Sequence, residues 1–234
     1  MREKKSGMMN DNQHDIESGK ISNLIFDFDG TLANTSRLIV ATMQKSVKDF
    51  GLPYRTDEQI KATIGVRLEE IPSILWPEIK GIGESFADVY RNNFKELKDQ
   101  FPVTLYPGVK QTLQELKEKG YQMAIATSRS HRSVVDLATK LGIMEYFVYI
   151  LGGDDVLEGK PNPESIFKIL SGMGWKAGET IMIGDMSVDI LMGKNAGTIT
   201  CGVTYGNGKL PELEESGADY IISEFPEISN VLKC

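Results

Sequence analysis

Short apolar runs alternate along the chain with segments whose apolar positions recur every three or four residues. The runs are NLIFDF (23–28), YQMAIAT (121–127), FVYIL (147–151), TIMIGD (180–185), TITCGV (198–203) and DYII (219–222). Each is short and apolar at consecutive positions, so each predicts a strand buried on both faces, as in a covered parallel sheet. Between them, Val109, Leu113 and Leu116 make a helical stripe in 107–119, with Gly120 fitting the C′ position. Val134, Ala138 and Leu141 repeat the pattern over 131–141, and Gly142 closes it. In KPNPESIFKIL, Asn162 is a natural N-cap and Pro163 a natural first helical residue. Strand, helix, strand, helix predicts an α/β fold with a doubly wound, mainly parallel, Rossmann-like sheet.

One stretch breaks this rhythm. From about residue 36 to 104 no run reads as a strand, while Ile39, Met43, Val47 and Phe50, and then Phe86, Tyr90, Phe94 and Leu97, are spaced for helices. A connection of about 70 residues is too long for a strand-to-helix loop, so it predicts an inserted helical domain. The expected layout is a polar mobile tail over 1–20, an α/β core over 21–36 and 105–234, and the helical insert over 37–104. The tail starts basic, as a signal peptide does, but no apolar segment follows it. No run approaches the roughly 18 apolar residues of a membrane helix.

Charge and cysteine content narrow the setting. A net charge of -7 argues against nucleic acid or an anionic membrane as the main partner. Cys201 lies in an apolar run and Cys234 ends the chain, which is neither a disulfide framework nor a CxxC metal site. A reducing, cytoplasmic location is expected.

The candidate chemistry falls at the carboxyl ends of the predicted strands, the edge where open α/β sheets bind ligands. Asp27 and Asp29 close the first strand, and residues i and i+2 of a strand face the same way. Two carboxylates side by side at a buried edge repel each other unless a cation or a shared proton relieves them. The arrangement points to a hard-cation site in which one aspartate is also a nucleophile. Thr127 ends the second strand, where its hydroxyl could hold a phosphate oxygen, although Ser128 or Ser130 could equally be capping the next helix. Lys160 lies in the loop after the third strand, just before a helix start. Asp185 follows the fourth strand and Asp189 lies one turn on, where a helix-start role would explain Asp189 but not Asp185.

These segments resemble the haloacid dehalogenase-like hydrolases, and within them the phosphoglycolate phosphatase-like group. DFDGTL is similar to the family's first motif, Thr127 to its second, Lys160 in GKPNPE to its third and GDMSVD to its fourth. Their order covers residues 23 to about 205, and the family's helical cap is inserted between the first two motifs, where the periodicity already places an insert. The resemblance implies that Asp27 is a nucleophile forming an aspartyl-phosphate. It implies that Asp29 is general acid and then base, with its backbone carbonyl on magnesium. Thr127 and Lys160 would hold the phosphoryl oxygens, and Asp185, with Asp189, would complete a Mg2+ site. Substrate contacts are expected at Gly30, Thr31 and Ser128, and at Arg67 in the cap, whose fork would suit a carboxylate.

A charge count leads to one further expectation. Asp27, Asp29, Asp185 and Asp189 sum to -4, and magnesium with Lys160 leaves -1, so a proton on Asp29 would make the site neutral. Two departures from the family pattern, Asn34 and Met186, stand where it often has Asp and Ser or Thr; they loosen the transfer of substrate identity. The reaction expected is hydrolysis of a small phosphate monoester by a monomer or homodimer. A sugar phosphomutase, a pyrophosphatase or a nucleotide phosphatase of the same family is an alternative. A phosphorylated receiver module is the non-enzyme alternative, against which length and the helical insert both argue. GGDDVLEGKP is no P-loop, because five residues separate Gly153 from Gly159 and Pro161 replaces Ser/Thr.

Overall fold

The structure, a computed structural model, describes residues 20–233. All but the last residue of the expected tail, together with Cys234, lies outside the described residues. Six parallel strands form one sheet in the order β5-β4-β1-β6-β7-β8: β1 (Asn23–Phe26), β4 (Gln122–Ala126), β5 (Tyr149–Leu151), β6 (Thr180–Gly184), β7 (Ile199–Val203) and β8 (Tyr220–Ile222). Their alternate side chains fill two cores. Leu24, Phe26, Met123, Ile125, Ile181 and Ile183 face one layer; Ile25, Ala124, Ala126 and Met182 face the other. This two-sided burial is why the strands read as continuous apolar runs.

Helices α5 (Val109–Glu118), α6 (His131–Lys140), α7 (Glu164–Met173) and α8 (Ser187–Ala196) connect the strands, and the short α9 (Leu210–Glu215) and α10 (Ile228–Val231) complete the layers. β1 lies at the sheet's centre: the chain winds outward from it to β4 and β5, then returns to β6 on its other side. The strand order therefore reverses around β1, which opens a crevice at its carboxyl end.

Four helices, α1 (Ser36–Phe50), α2 (Asp57–Lys61), α3 (Ile71–Leu75) and α4 (Gly83–Leu97), lie between β1 and β4 in sequence. They have a core of their own in Val40, Met43, Val47, Ile60, Ile71, Leu75, Trp76 and Phe86. The two connections to the sheet run side by side as a small antiparallel ribbon, β2 (Ala33–Asn34) with β3 (Thr104–Leu105). Two-residue strands carry no periodicity, so sequence pattern gives no sign of this ribbon.

At the helix starts, α7 is helical from Glu164, one residue later than expected, while the Asn162 side chain accepts the Glu164 N–H at 2.9 Å as a cap would. Ser130 stands at the N-cap of α6 without a side-chain cap bond; Asp154 accepts the His131 N–H at 2.6 Å instead. Among the described residues no helix is long and apolar enough to cross a membrane.

Candidate active site

Asp27 directly follows β1, and its N–H extends the ladder to Ile183 O of β6 at 2.8 Å. Thr127 follows β4, Lys160 lies in the loop after β5, and Asp185 follows β6. Neighbouring parallel strands thus deliver these residues to one sheet edge. Lys160 Nζ donates to Asp27 Oδ1 at 2.5 Å and to Asp189 Oδ1 at 2.7 Å, with every side chain of the trio at least 96% buried. Asp189 also accepts the Met186 N–H on Oδ2 at 3.0 Å, so it serves the start of α8 and the charged cluster at once.

Oxygens of Asp27, Asp185 and Asp189 lie within 4.8 Å of one another, all buried. Three carboxylates and one lysine sum to -2 (-3 and +1), the charge that one divalent cation cancels. The protonation energetics tell the same story. Burial works against the Lys160 cation, but Asp189 and Asp27 outweigh it, and its pKa is raised. Burial also holds Asp27 well above the usual carboxylate range, Lys160 opposing and the neighbouring carboxylates reinforcing. Asp185 is pushed up to about 7 by burial and by Asp189, against hydrogen bonds from Asn207 and Thr31. A buried all-oxygen cluster short of countercharge fits a hard divalent cation.

The loop after β7, unmarked by any sequence motif, completes the cluster. Asn207 donates to Asp185 Oδ2 from its backbone N–H at 2.7 Å and from Nδ2 at 3.1 Å. Thr31 Oγ1 donates to Asp185 Oδ1 at 3.2 Å, so this hydroxyl orients an acid. Gly30 has φ +96°, and a Cβ there would overlap the Asp185 carboxylate and the Asn207 amide. A Cβ at Gly206 would likewise overlap the Asp185 side chain, and one at Gly208 its backbone carbonyl.

Asp29 stands apart from the cation cluster. Arg129 forks onto its carboxylate, Nη2 to Oδ1 at 2.5 Å and Nε to Oδ2 at 2.9 Å, while Nη1 donates to Ser133 Oγ at 3.0 Å. The side chains of Arg129 and Asp29 are only 9% and 10% exposed. Burial acts against the guanidinium, but Asp29 outweighs it and the Arg129 pKa is raised. Counting Arg129 overturns the charge argument for a proton on Asp29: the pair sums to zero, and with a divalent cation the site is neutral without that proton. Sequence reasoning missed Arg129 because an arginine among serines in TSRS reads as solvated surface. Its one signal is position, two residues past Thr127 at the same sheet edge.

The helical insert closes over this edge. The Phe94 ring of α4 lies 5.2 Å from the Arg129 guanidinium, and Tyr90 stacks beside Phe94 with ring centroids 6.3 Å apart. Ser128 Oγ donates to Gly65 O of the insert at 2.6 Å, and therefore neither caps α6 nor reaches an open site. Thr127 Oγ1 accepts the Arg129 N–H at 3.3 Å. Arg67 borders a concavity that Lys160 also lines, but its fork is spent on backbone. It donates to the carbonyls of Leu157 at 2.6 Å, Gly153 at 2.7 Å and Val156, and so ties the insert to the loop after β5. Two of these bonds are half-buried and the one to Leu157 is exposed, and backbone carbonyls left without another donor are ready partners for a guanidinium. His131 pairs with Asp155 at 2.7 Å, outside the cluster.

Comparison with known proteins places this geometry in context. Residues 24–203 match the haloacid dehalogenase-like hydrolase family. A phosphoglycolate phosphatase from Vibrio parahaemolyticus is 31% identical over 216 residues, covering 89% of this chain and 95% of its own. The pyrophosphatase PpaX of Listeria monocytogenes is 33% identical over 221 residues, covering 92% of this chain and 98% of its own. Among solved structures, a haloacid dehalogenase-like family hydrolase from Streptococcus pneumoniae superposes with a TM-score of 0.81 at 26% identity, over 91% of this chain and 98% of its own.

Proposed function

The chain belongs to the haloacid dehalogenase-like hydrolases, and from that premise we propose that it is a magnesium-dependent phosphatase of small phosphoglycolate-like monoesters, working through an aspartyl-phosphate. The observation that carries this reading is Asp27 at the carboxyl end of the central strand, 2.5 Å from Lys160 Nζ and within the three-acid cluster. Phosphoryl transfer needs chiefly positioning and neutralised charge, and this arrangement supplies both.

Asp27 attacks phosphorus with one carboxylate oxygen. The bond from phosphorus to the ester oxygen breaks, its electron pair goes to the leaving alcohol, and Asp29 relays to that oxygen the proton that the ester brings in as its monoanion. Water then attacks the aspartyl-phosphate and gives its proton to Asp29. The bond from phosphorus to the Asp27 oxygen breaks, and inorganic phosphate and the carboxylate are regenerated. Lys160 holds negative oxygen beside Asp27 throughout, and Thr127 offers a hydroxyl at the same edge. Asp27, Asp185 and Asp189 would hold the cation, which when bound supplies charge neutralisation on the phosphoryl oxygens. The hinge for entry and exit is the β2–β3 ribbon, with Arg67 and Ser128 joining insert to core when closed.

The test is phosphate release from a panel of small esters, with magnesium and with chelator, beside Asp27→Asn. Magnesium-dependent turnover that vanishes in the variant is the expected result. Turnover that survives Asp27→Asn would rule out the aspartyl-phosphate route.

A further inference from the structure

The structure assigns Arg129 a second role: we infer that it is the specificity-determining residue of the site, selecting phosphate esters and anhydrides whose leaving group carries an oxyanion of its own. This rests on the hydrolase reading above, which gives Asp27 the phosphoryl group and leaves the far side of Asp29 to the leaving group.

The two cations of the site divide the space. Lys160 is committed to Asp27 and Asp189, on the phosphoryl side. Arg129 contacts neither of these by hydrogen bond; its fork lies on Asp29, the acid that must meet the leaving oxygen. Beyond Asp29 the wall is formed by the Arg129 guanidinium, held from behind by Ser133 Oγ, with the Phe94 ring of the insert against it. A leaving group extending from the reacting phosphorus past Asp29 therefore meets a buried guanidinium.

A guanidinium fork matches a carboxylate or phosphoryl group through two parallel N–H donors. In the described structure Asp29 fills that fork itself. Each of its oxygens accepts one guanidinium N–H and keeps a second lone pair, so drawing Asp29 off the fork towards a leaving oxygen is cheapest when another oxyanion takes over part of that fork. A leaving group bearing a carboxylate or a second phosphoryl group can make that exchange without leaving the cation buried and unpaired. A neutral leaving group cannot, and either leaves Asp29 clamped or strands Arg129, and a stranded buried charge is costly. A purely structural ion pair would predict the same geometry but no dependence on leaving-group charge, and this separates the two.

The experiment compares kcat/KM for phosphoglycolate, pyrophosphate and the neutral 2-hydroxyethyl phosphate in wild type, Arg129→Met and Arg129→Lys. Wild type should favour the anionic substrates by about 30-fold or more, the factor expected for a desolvated charge pair. Arg129→Met should collapse that ratio, whatever it does to the neutral ester alone, and Arg129→Lys should restore part of it. The carboxylate and phosphoryl arms show which oxyanion the fork prefers. Equal wild-type rates on charged and neutral leaving groups would overturn the assignment, as would a variant that slows all three substrates by one factor. Should Arg129→Met not fold, the wild-type and Arg129→Lys ratios decide alone, since a lysine that left the ratio intact would also overturn it. Turnover without selectivity removes only the role of Arg129; no phosphate release from any substrate removes the hydrolase reading and this role together.

Discussion

Lys160 is the residue on which the most charge converges. Its side chain is 4% exposed, and its ammonium holds Asp27 and Asp189 at once. Lys160→Met would leave two buried carboxylates with no cation, and breaking a buried pair from one side costs about 3–5 kcal/mol. We predict a loss of that order in urea denaturation, together with loss of turnover. A variant as stable as wild type would mean that the acids are relieved in another way. Gly30 makes a second case at this scale. Its positive φ and the closeness of Asp185 and Asn207 leave no room for a side chain. Gly30→Ala should keep the far-UV circular dichroism of the fold yet lower kcat/KM by at least about 100-fold, because displacing the groups that define the site by 1 Å carries a cost of that size. The acids, Thr127 and Lys160 were legible in the sequence because strand ends concentrate them. Arg129 and Asn207 were not, because each sits in a polar turn whose composition is that of ordinary surface.

Elements were legible where burial imposed a pattern. All six sheet strands show as apolar runs because helices cover both faces, and the prediction overran each by only one or two residues. The β2–β3 ribbon escaped notice, since two residues per strand cannot display a period of two. Tyr90 and Phe94 were read as part of a helical stripe, and they do lie on α4. They are only half-buried, however, and Phe94 meets Arg129 across the junction with the sheet rather than filling the core of the insert. Periodicity tells which face of a helix is apolar, not which partner covers it. The junction also yields a prediction about motion. Arg67 spends its fork on three carbonyls of the 153–157 segment. Arg67→Ala removes charged donors worth roughly 1–2 kcal/mol together at a partly exposed site. Amide hydrogen exchange in 153–159 and in the ribbon should then quicken about tenfold. Unchanged exchange would show that the insert is held by its apolar contacts alone.

For the whole molecule, the acid cluster links folding to pH and to metal. The pKa of Asp185 rises from 3.8 to about 7 on folding, chiefly through burial and next through Asp189, and that of Asp27 moves the same way. Between pH 4 and 7 the metal-free fold therefore holds protons that the unfolded chain has released. With more protons bound in the native state, stability falls as pH rises through that window and levels off above it. Two to three pH units acting on one buried group correspond to a few kcal/mol, on the order of 10 °C in midpoint for a chain of this size. Metal acts in the opposite direction, because it binds the deprotonated acids and stabilises only the native state. Thermal melts with chelator should give a higher midpoint at pH 5 than at pH 8, and millimolar magnesium should raise the midpoint more at pH 8 than at pH 5. Asp185→Asn removes the charge without removing the volume. In chelator it should lift the midpoint at pH 8, change it little at pH 5, and flatten the difference between the two. A midpoint in chelator that rises from pH 5 to pH 8 would mean that the cluster is not short of countercharge when the metal is absent, and the physical case for a divalent cation between β1 and β6 would fail with it.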